Sequence, residues 1–562
     1  MKRLFQLLFT LAFLTSCNSL KVIQKLPESI GPNYGVSTQG IYATKAAVDI
    51  FEKGGNAIDA AVAASFTISV ERPHSTGLGG GGFMLFREAA SKKIYAIDFR
   101  ERAPLASTEK MYLDKLGNPI ANLSINGAKA IATPGLVAGL LEIHEKFGKL
   151  SREDVMAPAI DLAENGFKIY PTLARALAQK EDELKKDTEA SKIFLDQNKN
   201  ALKEGQILIQ KDLATTLKLI SKVGKKAFYE GDIAKIFEDN HFAVTKKDLS
   251  EYTVKWREPL KGSFSGYTIF SMPPPSSGGI HVLQFLSMLE EDHLKDKGFL
   301  SAQSIHLAAS ALQSAFADRA KYLGDPDFVT VPTSELLSKD YAKKRRAEIN
   351  INHARNAKEV SAGKIAGYEH DETTHISIID KDGNMIATTQ TINGYMGSSV
   401  VLPHTGIVLN NEMDDFSAKP GASNLFGAIG SKANAIAPKK TPLSSMSPTL
   451  VLSDKGEPIL SVGAPGGTRI ISCVAQTILN YLEFKLPPYE SVASARYHQQ
   501  WLPDELDLEP GKIPASTIEQ LKMMGHNVQE KAVNCNVMAV AKEENLFRAV
   551  SDPRDIGTSH AR

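Results

Sequence analysis

Three cysteines and two tryptophans in 562 residues are the sparsest features of this chain, and so few thiols exclude a disulfide-framed scaffold. Charge of one sign is lacking too: 65 Lys and Arg stand against 64 Asp and Glu, a formal net charge of +1. That balance supplies no field to gather nucleic acid or an anionic membrane. There is no internal repeat, and no low-complexity tract beyond Pro273–Pro275. What is present, 43% hydrophobic and 23% charged residues, is ordinary for a globular protein with a large core. Disorder and fibre classes fall away. The length fits two or more domains, or one large layered α/β domain.

Lys2 and Arg3 precede an apolar run from Leu4 to Leu14, broken by Gln6 and Thr10. The run is far short of the roughly 20 residues of a spanning helix, so residues 1–16 read as an export signal. Leu14, Thr15, Ser16 and Cys17 resemble the lipobox of bacterial lipoproteins, in which the Cys is acylated; more than one chain on Cys17 gives durable anchoring. The expectation is an exported protein, periplasmic or membrane-anchored, of a Gram-negative-type bacterium. Simple secretion is the rival. Cys473, in the helix-like "RIISCVAQTILNYL", reads as a packed free thiol, with one bridge to Cys535 as the alternative.

From Gly40 the pattern is helix, Gly-Gly break, helix. The run "GLGGGG", Gly77 to Gly82, formally matches a dinucleotide loop. A helix precedes it and the strand "FMLFR" follows, the reverse of the required context, so glycine-mediated close packing is the better account. Next, "KKIYAIDFRERAP" puts Ile94, Ala96, Asp98 and Arg100 on one strand face and Tyr95, Ile97 and Phe99 on the other. The charged segment from Gln179 to Gly205 and "KKRR" at Lys343–Arg346 read as solvated helix faces. Residues 353–372 lose apolar periodicity and read as a mobile linker, after which strands dominate.

The first of those strands begins "TTHISIID", and "KDGN" separates it from "MIATTQTI". Gly383 supplies a positive φ cheaply, so the pair reads as a hairpin. With Asp380 opposite Asn384, Thr373 faces Thr391, and opposed residues share a sheet face with Cβ atoms about 4.5–5.5 Å apart. An internal Thr hydroxyl is a poor nucleophile. If the bond between Glu372 and Thr373 is cut, Thr373 gains an α-amine of pKa about 7.7–8.0 that serves as its own general base. Further on, "PILSVGAPGGTRIIS" runs from strand through Pro465, Gly466 and Gly467 into a helix. Such a turn presents backbone N–H groups to a developing oxyanion, or is an ordinary tight connection.

Together, "TTHISIIDKDGN", "NNEMDDFSAKPG", "PLSSMSPTLVL" and "GAPGGTRII" resemble the γ-glutamyltranspeptidase family. The early "GGNAIDAAVAA", "GLGGGGFMLF" and "DFRERAP" and the late "YHQQWLPDE" and "SDPR" extend the likeness over nearly the whole chain. The resemblance implies an α/β N-terminal nucleophile hydrolase fold, a four-layer αββα sandwich. It also implies autocleavage into a large subunit, 17–372, and a small subunit, 373–562, that stay together as a heterodimer. Thr373 becomes the nucleophile and Thr391 the hydroxyl that orients it, with Gly466 and Gly467 as oxyanion donors. Arg100, Ser444 and Ser445 match the groups that hold a substrate α-carboxylate, and Asn393, Glu412 and Asp415 those that hold the α-ammonium. The implied substrates are glutathione and other γ-glutamyl compounds, with water, amino acids or dipeptides as acceptors. No metal and no organic cofactor is implied.

Rival readings stand beside these roles. Arg100 pairs on a surface with Asp98 or Glu101; Ser444 and Ser445 form a loop before a strand. Glu412, Asp414 and Asp415 are a metal cluster, though without the spacing of a calcium loop. Two departures from the family are visible: Glu412 stands where many bacterial relatives carry Gln, and Phe426 replaces a lid Tyr, removing its hydroxyl donor. Two rival functions remain, a related acylase and an uncleaved lipoprotein that only binds γ-glutamyl peptides.

Overall fold

The computed structural model describes residues 27–361, 373–419 and 432–562. The export signal with Cys17, Glu372 with the rest of 362–372, and Phe426 lie outside the described residues.

Two seven-stranded antiparallel sheets face each other. One runs Thr558–Ala561, Tyr34–Thr38, Thr374–Asp380, Met385–Thr391, Gly81–Arg87, Ile94–Asp98, Lys255–Arg257. The other runs Glu28–Gly31, Leu546–Ser551, Met538–Glu543, Pro458–Gly463, Thr449–Leu452, Tyr267–Ser271, Leu260–Phe264. Their central strands pack face to face. Helices Ile41–Glu52 and Ala57–Glu71 cover the first sheet; Gly278–Leu289 and Arg469–Leu482 cover the second. The result is four layers, αββα.

Alternation along the hairpin explains the stacking. Ile376, Ile378 and Ile386 enter the core under the Ala-rich helices, each contributing about 2 kcal/mol by burial. Ile379, Met385 and Ala387 turn the other way, towards the second sheet. So does His375, whose ring bonds Thr389 (2.8 Å) and Ser377 (3.1 Å); Gly463 across the gap makes room for it, since a Cβ there would lie 2.2 Å from the ring. Helix Ala57–Glu71 is buried along its whole length, which its small residues permit, and Asn56 with Asp59 caps its start.

Three expectations need correction. Cys473 is bonded to Cys535, with Cα atoms 6.6 Å apart across 62 residues, a closure worth about 4 kcal/mol in the chain-entropy account. Helix periodicity identifies a buried Cys473 but is silent about a partner brought in from a distant irregular stretch. Residues 353–361 are docked rather than free: Ala357 and Val360 are buried, and their carbonyls accept the Trp501 indole N–H. Within "KKRR", Arg345 is buried beside Asp318 and Arg346 grips Asp292, so half of that run faces the protein.

Candidate active site

Thr374 pairs with Gln390 and Ile379 with Met385, and the Asp380 N–H donates to the Asn384 carbonyl at 3.1 Å. This is the register that a Lys381-Asp382-Gly383 turn requires. It carries Thr373 and Thr391 on the inter-sheet face to one end of the layer, where both line the same small chamber. Thr391 Oγ1 accepts the Asn393 N–H at 2.8 Å, which fixes its orientation, and Asn393 adopts φ +73°. Close packing by the glycine run holds this strand end: a Cβ on Gly80 would lie 2.0 Å from the Thr391 carbonyl oxygen.

The opposite wall comes from the second sheet. Strand Pro458–Gly463 runs into the turn of Gly466 (φ +129°) and Gly467 (φ +52°), conformations that favour glycine. Helix Arg469–Leu482 follows at once, with the Arg469 N–H donating to Gly466 O at 2.9 Å. Gly467 lines the Thr373 chamber.

Around the same chamber stand Arg100, Asn393, Glu412, Asp415, Ser444 and Ser445, every member of the predicted binding set. Arg100 is 1% exposed, which disposes of the surface-pair reading. Its guanidinium reaches Glu412 at 2.7 Å and Asp415 at 2.5 Å, and donates to the Pro442 carbonyl at 2.9 Å. Burial would depress Arg100, but the carboxylates of Glu412, Asp415 and Glu101 outweigh it and raise its pKa. Ser444 is fixed through its backbone by Pro275 and Ser277. The proline run that looked like mere low complexity in the sequence thus supports the site.

Two residues were missed by sequence reasoning. Arg319 lines the chamber from the long helix Ala302–Tyr322, bonding Ser277 Oγ at 3.0 Å and Ser445 Oγ at 3.3 Å; burial pushes its pKa down to about 10. Its signal was its place on the apolar stripe Ala308, Leu312, Ala315, Arg319. Glu101 is fully buried beside Arg100 and close enough to Glu412 for the two carboxyls to influence each other's charge. Burial pushes Glu101 up to about 8 and Glu412 well above the carboxylate range, with Arg100 opposing both. At neutral pH the pair therefore retains a proton.

The chamber thus offers two buried cations and an acidic cluster facing each other. An α-amino-acid head group has matching charges: its carboxylate complements the guanidinium fork, its ammonium the oxygens of the acidic cluster. A second, larger cavity of about 610 Å3 opens on the far side of Thr373, lined by Arg72, Arg175, Tyr395, Gly466, Glu509 and Asp555 among others. Thr373 is the one described residue common to both. In the larger cavity Arg72 pairs with Asp555 at 3.2 Å and Arg554 with Glu509 at 2.7 Å. Arg175 is exposed.

Comparison with known proteins agrees with this geometry. The family model described as gamma-glutamyltranspeptidase matches residues 43–561. A glutathione hydrolase proenzyme of Escherichia coli K12 is 44% identical over 520 residues, covering 92% of this chain and 89% of that protein. A cephalosporin acylase from Bacillus halodurans superposes with TM-score 0.82 at 25% identity, over 98% of this chain and 99% of that one. Helicobacter pylori gamma-glutamyltranspeptidase matches with TM-score 0.56 at 40% identity, over 57% of this chain and 93% of that one. From this match across nearly its full length, and from a sandwich of the N-terminal nucleophile hydrolase type, the chain belongs to the γ-glutamyltranspeptidase family.

Proposed function

We propose that the chain is a proenzyme that cuts itself between Glu372 and Thr373 and then transfers γ-glutamyl groups from glutathione and related amides to water or amines. Thr373 Oγ1 attacks the Glu372 carbonyl carbon, the peptide bond becomes an ester, and water opens it. The freed α-amine of Thr373 then takes the proton from the Thr373 hydroxyl as Oγ1 attacks the donor's γ-carbonyl. The N–H groups at Gly466 and Gly467 receive the oxyanion, and the amine returns the proton to the departing nitrogen. Water or a second amine resolves the ester. The large and small subunits remain a heterodimer, tied by the strand ladder between Met385–Thr391 and Gly81–Arg87.

One observation carries this reading: Thr373 stands between a chamber that matches an α-amino-acid head group and a larger cavity open to a leaving or incoming amine. Arg100, Ser444, Ser445 and Arg319 hold the α-carboxylate; Asn393, Glu412 and Asp415 hold the α-ammonium, with Thr391 orienting the nucleophile. Arg175 is placed to receive the carboxylate of an amino-acid or dipeptide acceptor. The chemistry needs no metal or organic cofactor, because the α-amine and the backbone donors suffice for acyl transfer.

The likeness to a cephalosporin acylase favours a second reading, cleavage of glutaryl-type amides. A glutaryl group has no ammonium to complement the acidic Glu412 and Asp415. Turnover of γ-glutamyl-p-nitroanilide against glutaryl-p-nitroanilide decides between them. The proposal expects strong preference for the first; preference for the second contradicts it. A binder without catalysis would show one full-length band on a denaturing gel and no turnover of either.

The charged start, short apolar run and Leu14-Thr15-Ser16-Cys17 sequence support export and acyl anchoring at Cys17. The mass of the mature large subunit tests this: acyl chains on an N-terminal Cys17 are expected, and an unmodified residue there rules anchoring out.

A further inference from the structure

We infer that the Cys473–Cys535 disulfide positions the Gly466–Gly467 turn, so that breaking it slows catalysis rather than substrate binding. The inference rests on the reading that this turn supplies the oxyanion donors.

The turn is fixed on its helix side by the Arg469 and Ile470 N–H groups, which donate to Gly466 O and Gly467 O, and by the Thr468 hydroxyl, which donates to Gln500 Oε1 at 2.6 Å. Strand pairing ends at Gly463, and both glycines adopt left-handed φ, so no sheet ladder fixes them. What backs the turn is the stretch around Asn534 and Cys535: a Cβ on Gly466 would lie 2.6 Å from the Asn534 carbonyl oxygen and 3.0 Å from Cys535 Cβ. That stretch, residues 531–537, is irregular. It is anchored at both ends: Lys531 pairs with Glu505 and Asp507, and Val537 exchanges bonds with Asp552. The Lys531 N–H bonds Leu508 O, the Cys535 N–H bonds Val533 O, and the Val537 N–H bonds the Asp552 carboxylate at 3.0 Å.

The disulfide ties this backing to the helix that the turn starts. Cys473 sits in the second turn of Arg469–Leu482, whose first N–H groups close on Gly466 and Gly467 at 2.9 and 3.3 Å. The bridge thus joins the helix directly to the stretch on which Gly466 rests, and the turn lies between the two. Both cysteines are buried, and Cys535 forms part of the wall of the larger cavity beside Thr373 and Gly466. Arg100, Glu412 and Asp415, the charged groups proposed to meet the α-amino-acid head, belong to other segments, while Gly467, Thr468 and Ile470 contribute only uncharged wall to that chamber. Loosening the turn therefore weakens donors aimed at the transition state and leaves the charged recognition groups in place.

The test uses mature, fully cleaved enzyme in three forms: wild type, Cys473→Ala/Cys535→Ala, and wild type reduced with a phosphine. Alkylation mass confirms two free thiols in the reduced form. Kinetics with γ-glutamyl-p-nitroanilide and inhibition by L-glutamate are measured on each. Loss of one oxyanion donor typically costs a factor of roughly 10² to 10³, so partial loosening is expected to lower kcat by about tenfold. KM and the inhibition constant for L-glutamate should stay within about twofold, because they report ground-state binding. A kcat within about twofold of wild type in either thiol form, with only the melting temperature lowered, overturns the inference and leaves the bridge a stability element. Parallel worsening of KM and the glutamate constant overturns it as well. Should the double variant fail to mature, kinetics of the reduced wild type decide the question. If oxidised wild type does not turn over the donor at all, the functional reading itself has failed.

Discussion

At Glu101 a carboxyl outside the proposed binding set influences the charge of Glu412, which is within it. Burial raises both carboxyls of the Glu101–Glu412 pair, so that the pair beside Arg100 stays protonated above the usual carboxylate range. As pH rises through about 8 the pair begins to give up its protons and the acidic wall becomes more negative, so on the proposed reading the donor's α-ammonium is held more tightly. The variant Glu101→Gln cannot make this change. The ratio of its donor KM to that of wild type should rise about three- to tenfold between about pH 6.5 and 9, a modest interaction through a second carboxyl. The donor's own amine titrates equally in both and cancels in the ratio. A flat ratio contradicts the account. Glu101 was invisible as a functional residue in the sequence because its role comes from a neighbour 311 positions away, whereas Arg100 was legible through a motif and only its burial was misjudged in the rival reading.

At the scale of elements, the catalytic hairpin depends on how closely the glycine run lets chains approach. Gly80 has no room for a methyl against the Thr391 carbonyl, so Gly80→Ala must push the end of strand Met385–Thr391 away from Thr373. A displacement of even about 1 Å at such a site costs about 10²-fold, and we expect kcat to fall by that order, together with slower self-cleavage. Unchanged cleavage and kcat would show that the strand end is not held as described. The hairpin was legible because a glycine turn fixes register and register fixes faces. The docking of 353–361 was not, since its anchor, the Trp501 indole, comes from far along the chain and leaves no periodicity in the segment itself. The bridge partner of Cys473 was hidden for the same reason.

For the whole molecule, the layers bury titratable groups of both kinds, and their shifts oppose each other in pH. His281, His375, His498 and His526 are pushed down to about 3 by burial. Each binds a proton more readily in the unfolded chain, so stability present above about pH 6.5 is lost as pH falls. Glu71 and Glu101 are pushed up to about 7 and about 8 by burial. Each holds its proton more tightly when folded, so stability present below about pH 4.5 is lost as pH rises towards those values. Because the two kinds of shift act in opposite directions, the melting temperature of the mature enzyme should fall on both the acid and the alkaline side of about pH 6 to 7, as followed by scanning calorimetry. A melting temperature still rising below about pH 5 would contradict it. The αββα class was legible from the sequence through its separated motifs. The inter-sheet polar residues that set this pH response were not, because alternation alone does not say which face meets another sheet.

The central claim is that one peptide-bond cleavage turns Thr373 into a residue with its own base. Amino-terminal sequencing of the smaller fragment from active enzyme tests it most directly. The account predicts Thr373, Thr374, His375, Ile376 as the first four residues, and a single uncut chain for Thr373→Ala. A fully active preparation whose smaller fragment begins at any other residue would contradict it.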